Sequence, residues 1–191
     1  MITIQGKKVS LTEATIEDIA ILYYWKFEEE KQEAKKWNGP YIPEPFMTKS
    51  EFNDSFFESA RVLNGVPSTL VIKANGKVIG TVGCYWVDQH TDWLETGIVI
   101  YDPSYWNGGY GTEAYALWID YLFEHTNLHR LGMSTWSGND RMMRVAYKLG
   151  MVEEARIRKA RVVEGEYYDS IKMGILREEW IEKGKRDRNE K

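Results

Sequence analysis

Glycines crowd one short stretch, Pro103-Ser-Tyr-Trp-Asn-Gly-Gly-Tyr-Gly-Thr-Glu-Ala114, set between a strand-like run and a helix-like run. Gly108, Gly109 and Gly111 carry no Cβ, so the backbone there can turn tightly and approach a ligand closely. A helix that starts just after them offers unpaired N–H groups and the positive end of its dipole. Together these make an anion site suited to a pyrophosphate. The spacing is not that of an NTPase phosphate loop, because no Gly-Lys-Ser/Thr follows. It is not the dinucleotide fingerprint either, which fixes three glycines after a first strand. A glycine-rich turn without any ligand has the same composition, and the loop alone leaves that open.

Other reactive side chains are few. Cys84 is the sole cysteine, so no intrachain disulfide can form. Within the apolar run Lys77 to Val87 it reads as a small core residue rather than a nucleophile. His90, His125 and His129 show no metal-ligand spacing, and no metal is expected. A formal net charge of −4 gives no general basic surface, so nucleic acid is not an expected partner. No run approaches the roughly 20 apolar residues of a membrane helix. The start, Met-Ile-Thr-Ile-Gln-Gly-Lys-Lys, has no apolar signal region. The expected location is cytoplasmic, with no membrane partner.

The elements that must position the loop are legible from periodicity. The 191 residues fit a single domain. Ile2, Ile4, Val9 and Leu11 alternate as strands around a turn at Gly6. Thr15 with Asp18 predicts a helix N-terminus, the helix running from about Ile16 to Glu30. Prolines and aromatics from Lys35 to Met47 predict a structured loop. Ser50 to Leu63 reads as a second helix. Strands follow over Ser68 to Lys73, Val78 to Val87 and Asp92 to Tyr101, the first two joined by the hairpin turn Asn75-Gly76. A helix over Thr112 to Glu124, a strand over Leu128 to Trp136 and a short helix over Asp140 to Lys148, stopped by Gly150, come next. A hairpin around Glu164-Gly165 joins Val152 to Val163 with Tyr167 to Leu176, and a charged segment closes the chain. The order implies an α/β (α+β) mixed sheet with antiparallel hairpins and one strand-helix-strand crossover.

At this point the sequence resembles the GNAT superfamily of N-acetyltransferases, and within it the RimJ/RimL-like branch. Gly109 and Gly111 match the last two fixed positions of the superfamily's CoA loop, while Trp106 stands where glutamine or arginine is usual. Tyr105-Trp106 and Tyr110-Gly-Thr-Glu-Ala114 look like the branch's variant. Glu95 to Ile100, Leu128 to Leu131, Asn139 with Val145 to Met151, Gly165 to Asp169 and Ile175 to Trp180 resemble further family stretches in order. The resemblance covers about Lys8 to Trp180 and is weakest over Glu28 to Leu63, where such enzymes shape the acceptor site. It implies a GNAT domain over residues 1–180 with a charged tail over 181–191. The implied fold is one mostly antiparallel mixed sheet with a central splayed parallel pair and helices on both faces.

The resemblance also implies roles. The backbone of Val99, Ile100 and Tyr101 would pair with the pantetheine arm of acetyl-CoA, at a kink or bulge that opens the sheet. Asn107, Gly108, Gly109, Tyr110, Gly111 and Thr112 would hold the pyrophosphate. Thr112 could equally cap the helix, Asn139 could bond pantetheine or cap the Asp140 helix, and Lys148 could reach a phosphate. Trp106 would pack beneath the loop or touch the cofactor. Transfer to a primary amine, direct in a ternary complex, needs a base for the ammonium proton, and Glu95 is the candidate; its plain reading is a surface residue or ion-pair partner. The usual acids are absent, since Ala146 and Met142 hold the family's tyrosine and serine positions; Ser134 and Thr135 are substitutes. Trp37 and Tyr41 would line the acceptor groove, and Glu28-Glu29-Glu30 could attract a cationic acceptor or form an exposed face. The acceptor's identity stays open among peptide N-termini and small amines. A homodimer is possible, and a non-catalytic CoA-binding module is the alternative function.

Overall fold

A computed structural model of the chain describes residues 2–59, 62–63 and 65–189. The elements in order are β1 (Thr3–Gln5), β2 (Ser10–Thr12), α1 (Ile16–Tyr23), α2 (Lys49–Ser59), β3 (Val62–Leu63), β4 (Val66–Pro67), β5 (Thr69–Ala74), β6 (Lys77–Asp88) and β7 (Trp93–Ile100). They continue with α3 (Tyr110–His125), β8 (Arg130–Trp136), α4 (Asp140–Lys148), β9 (Val152–Val163), β10 (Glu166–Leu176) and α5 (Arg177–Asn189).

Eight strands form one sheet in the order β1-β2-β5-β6-β7-β8-β10-β9. Every neighbour pair is antiparallel except β7 with β8, which run parallel and are joined through α3. Their pairing is confined to Glu95 opposite Gly132. Beyond that point β7 runs on to Ile100 while β8 leads away, and the sheet opens. No register shift marks a bulge at 99–101: β6 and β7 pair in register from Gly80 and Ile100 to Trp86 and Leu94. The opening comes from the strands parting.

Strand alternation sends side chains to two cores. Leu70 and Ile72 of β5 join the large core with Tyr115, Trp118, Ile119 and Leu122 of α3. Val71, between them, joins Ile19, Leu22 and Tyr23 of α1 and Phe52 of α2 on the other face. Helices therefore cover both faces. Trp118 and Tyr115 are fully buried, each with its polar tip satisfied: the indole N–H donates to Gly83 O at 3.0 Å, and the phenol bonds Thr96 at 2.7 Å.

Several boundaries differ from expectation. Thr15 and Asp18 form the predicted capping box, but regular α1 ends at Tyr23 and a wide π turn carries on to Glu28. Within that turn Lys26 reaches Glu44 at 2.6 Å and Phe27 packs on Phe52. Helix α2 ends at Ser59, not Leu63: Val62 and Leu63 instead pair with Pro67 and Val66 across a turn at Gly65, φ +84°. Residues 60 and 61 of the predicted helix lie outside the described residues. Helix α3 begins at Tyr110, two residues early, because Gly109 at φ +82° makes the turn into it. Thr112 therefore sits inside the first turn and does not cap. The charged end is helical through Asn189 as part of α5, and residues 190 and 191 lie outside the described residues.

Candidate active site

Where β7 and β8 part, a cavity of about 230 Å³ opens between the end of β7, the glycine loop and α4. Ile98, Val99 and Ile100 form one wall. Trp106, Asn107, Gly109, Gly111 and Thr112 form the second, and Asn139, Arg141, Met142, Arg144, Val145 and Lys148 the third. Ala34, Trp37 and Asn38 close it from the loop after α1. The sequence expectations thus converge on one hollow for Val99, Ile100, Asn107, Gly109, Gly111, Thr112, Asn139 and Lys148. Gly108, Tyr110 and Tyr101 are not in its lining. Gly108 O accepts from Lys8 Nζ at 2.8 Å, and the Tyr110 ring packs on Tyr105 at 5.1 Å. Tyr101 packs with the second core, burial pushing its phenol pKa up, and its N–H donates to Ile79 O at 2.8 Å.

The loop is built to hold its shape. Asp102 Oδ1 accepts from the Ser104 N–H at 2.9 Å and hydroxyl at 2.7 Å. The Trp106 indole donates to Ile100 O at 2.9 Å, which ties the loop to the strand end. Asn107 at φ +61° and Gly109 bring the chain round. From behind, Glu113 Oε1 accepts from the N–H groups of Lys8 at 2.7 Å and Val9 at 3.3 Å, so the β1–β2 turn braces the start of α3. The first N–H groups of α3 have no intrahelical acceptor and face an anion's place.

On the third wall, Asn139 caps α4: its side-chain oxygen accepts from Met142 N at 3.1 Å, and its amide donates to Trp37 O at 2.9 Å. Arg141, Arg144 and Lys148 follow at helical spacing along the lining. The Arg141 guanidinium sits 4.2 Å from the Trp106 ring centroid and 4.5 Å from that of Trp37, and its buried Nη1 has no hydrogen-bond partner among the described residues. Cations opposite a glycine-rich helix start, with an orphaned buried donor between them, fit a phosphorylated carrier such as acetyl-CoA.

The opposite side of the open sheet carries a polar row. Alternation along β7 puts Glu95 and Gly97 on one face and Thr96 and Ile98 on the other. Glu95 is 1% exposed. Its Oε2 accepts from the Tyr85 hydroxyl at 2.6 Å and the Ser134 hydroxyl at 2.5 Å, and its Oε1 accepts from Lys172 Nζ at 2.5 Å. Burial acts to raise the carboxyl pKa, but the donors, Lys172 first, outweigh it and hold the group below its ordinary value. Glu95 is thus an ion-pair partner inside the sheet rather than an exposed strand residue. Burial and the neighbouring carboxylate push the Tyr85 phenol up, so it stays a hydroxyl at neutral pH. Tyr85 itself is half exposed. Beside the row, a Cβ on Gly97 would meet nothing within 4 Å.

Trp37 and Tyr41 flank this face. The Trp37 carbonyl accepts from the Trp136 indole at 2.9 Å, and Tyr41 packs edge-on to Trp136 at 6.5 Å. Two of the three acidic residues are engaged locally: Glu28 pairs with Lys49 at 2.9 Å, and Glu29 accepts from Gln32 N at 2.6 Å. Thr135, offered as an acid, is buried. Ser134 belongs to the Glu95 row. Sequence reasoning missed Tyr85, Lys172 and Arg141. For Arg141 a signal existed, since Arg141, Arg144 and Lys148 recur on one helix face; the Tyr85–Lys172 row spans strands far apart in sequence and left none.

A parted parallel strand pair, a glycine-rich helix start and a cationic third wall define an acyl-CoA-binding architecture. The sequence profile of the acetyltransferase (GNAT) domain matches residues 8–152. The uncharacterized N-acetyltransferase YnaD of Bacillus subtilis is 30% identical over 141 residues, 73% of this chain and 81% of that protein. The spermidine N(1)-acetyltransferase of Escherichia coli is 25% identical over 141 residues, 74% of each chain. The crystal structure of spermidine N-acetyltransferase from Vibrio cholerae, in complex with CoA and spermine, shares the fold with a TM-score of 0.74 at 17% identity, over 92% of this chain and 99% of that one. The chain belongs to the GNAT acetyltransferase family and is an acetyl-CoA-dependent acyltransferase by class.

Proposed function

We propose that the chain transfers an acetyl group from acetyl-CoA to a primary amine by direct attack within a ternary complex. The observation that carries this reading is the juxtaposition along β7: Val99 and Ile100 line a phosphate-suited cavity, and Glu95 anchors a polar row a few residues upstream. In this reading the β7 backbone from Val99 to Tyr101 takes the pantetheine arm. Residues Asn107 to Thr112 take the pyrophosphate, with Asn139 and Lys148 completing the site. Trp37 and Tyr41 border the acceptor. Acetyl-CoA supplies the thioester carbonyl that the amine attacks.

Glu95 is too buried for an acceptor to touch, so the proton travels through Tyr85, which is half exposed and whose hydroxyl already donates to Glu95. An ordinary amine arrives as an ammonium ion. Tyr85 O takes one ammonium proton while passing its own to Glu95 Oε2. The freed nitrogen attacks the carbonyl carbon, the C–N bond forms and the C–S bond breaks; the nitrogen sheds its second proton to water, which returns one to the leaving thiolate, and Glu95 gives the first proton back to solvent. Lys172 keeps Glu95 ionised and ready to receive.

The Tyr105-Trp106 and Tyr110-to-Ala114 pattern supports a RimJ/RimL-like assignment. We further propose a cytoplasmic location and a homodimer, the latter supported by exposed Ile157, Val162 and Tyr167 on the β9–β10 hairpin. The acceptor panel holds N-terminal peptides, polyamines, amino acids and aminoglycosides, and the spermidine acetyltransferases among the chain's relatives support the polyamines. The test is thiol release from acetyl-CoA with that panel, on the wild type and Glu95→Gln. One amine class should turn over, and Glu95→Gln should lower kcat by about 10²–10⁴-fold. Binding of acetyl-CoA without turnover of any amine would favour a non-catalytic module.

A further inference from the structure

Arg141 stands apart from the other cations of α4. Two indoles from different parts of the chain lie against its guanidinium: Trp106 from the glycine loop and Trp37 from the loop after α1. The same guanidinium carries a buried Nη1 that has no partner among the described residues. All three residues line the cavity. A buried donor left unpaired costs about 1–3 kcal/mol, so Nη1 is a standing vacancy for an acceptor oxygen. A planar, always-charged fork held between rings is the arrangement that best takes a phosphate oxygen.

We propose that Arg141 is a positioning residue: it takes a phosphate oxygen of the CoA carrier while staying clamped between Trp37 and Trp106, and so locks the acceptor-side loop when the carrier is bound. The inference rests on the cofactor site proposed above. The lock has a mechanical basis. The Trp37 carbonyl is already held by the Trp136 indole and the Asn139 amide, both at 2.9 Å, and its ring leans on Arg141. Fixing the guanidinium then restrains the Trp37 ring that leans on it. The carrier then binds first and prepares the border of the acceptor site, without touching the acceptor itself.

The test measures binding rather than turnover. CoA, 3′-dephospho-CoA and phosphate-free pantetheine are titrated against wild type, Arg141→Gln and Arg141→Lys, with amide hydrogen exchange followed over residues 33–47. Arg141→Gln should raise the Kd for CoA by about tenfold or more and leave that for pantetheine unchanged. An equal loss with dephospho-CoA assigns the contact to the pyrophosphate, and a loss confined to CoA assigns it to the 3′-phosphate. CoA should slow exchange over 33–47 in the wild type and fail to do so in Arg141→Gln. Arg141→Lys keeps the charge without the planar fork, so it should retain part of the affinity but not the slowed exchange. Wild-type affinity in Arg141→Gln, an equal loss with pantetheine, or undiminished slowing of exchange in either variant overturns the inference. Should Arg141→Gln fail to fold, Arg141→Lys decides alone by the same readings. A wild type that binds no CoA form removes the proposed function itself, which is a different result.

Discussion

Replacing Lys172 with methionine keeps the aliphatic stem and removes the cation that holds Glu95. The variant leaves a carboxylate that is 1% exposed with two neutral donors, Tyr85 and Ser134. Removing one partner of a buried ion pair costs about 3–5 kcal/mol. The Lys172 side chain is 34% exposed, and water can replace part of what it gave, so about 2 kcal/mol is a fairer figure. For a domain of this size that lowers Tm by about 4–8 °C. The pH dependence carries the sign. In the wild type the folded Glu95 carboxyl lies below its unfolded value, so its contribution is present above the unfolded pKa and is lost as pH falls through the folded one. In Lys172→Met the largest lowering partner is gone and only Ser134 and Tyr85 oppose burial, so the folded pKa rises and the ionised carboxylate loses its stabilisation at neutral pH. The Tm difference between the proteins should therefore be largest near pH 7–8 and shrink toward pH 4. Thermal melts across that range read it out, and adding Glu95→Gln to Lys172→Met should recover most of the loss. A Tm difference that is absent, or that does not change with pH, would refute this account of the row.

Three further outcomes follow from single residues. Gly97→Val enters open space, so Tm should hold, while kcat/KM for the acceptor should fall by about tenfold or more as the hollow beside Glu95 fills. Gly109→Ala must hold φ +82°, a strain of about 1–2 kcal/mol, and should both lower Tm and weaken CoA binding in titration. Cys84 is buried and desolvation pushes its thiol up to about 12, so a thiol reagent at pH 8 should react with it only as fast as the protein opens, and at once in denaturant.

Local signals in the sequence were reliable where one short segment decides the structure. The Thr15–Asp18 capping box, the Asn75-Gly76 and Glu164-Gly165 turns and the Gly150 stop all formed, because each depends on positive φ or on a cap within a few residues. Helix ends set by tertiary contacts were less legible: α1 widens where Lys26 and Phe27 find distant partners, and α2 stops where Val62 and Leu63 pair with β4. The cavity walls were legible through the glycine loop and the strand before it. The Glu95 row was not, since Tyr85, Ser134 and Lys172 come from three other strands and meet only through sheet register. Trp37 was expected at the acceptor, yet its contacts tie that loop to α4, a link no local pattern encodes.

The most direct test of the central claim is a grid of initial rates, varying acetyl-CoA against the best acceptor from the panel, for the wild type and Glu95→Gln. Direct transfer predicts double-reciprocal lines that intersect for the wild type. It also predicts a Glu95→Gln enzyme with a much lower kcat and an unchanged KM for acetyl-CoA, since Glu95 lies outside the cofactor cavity. Parallel lines would mean an acetylated enzyme intermediate. An unchanged kcat in Glu95→Gln would mean that the ammonium proton leaves by another route.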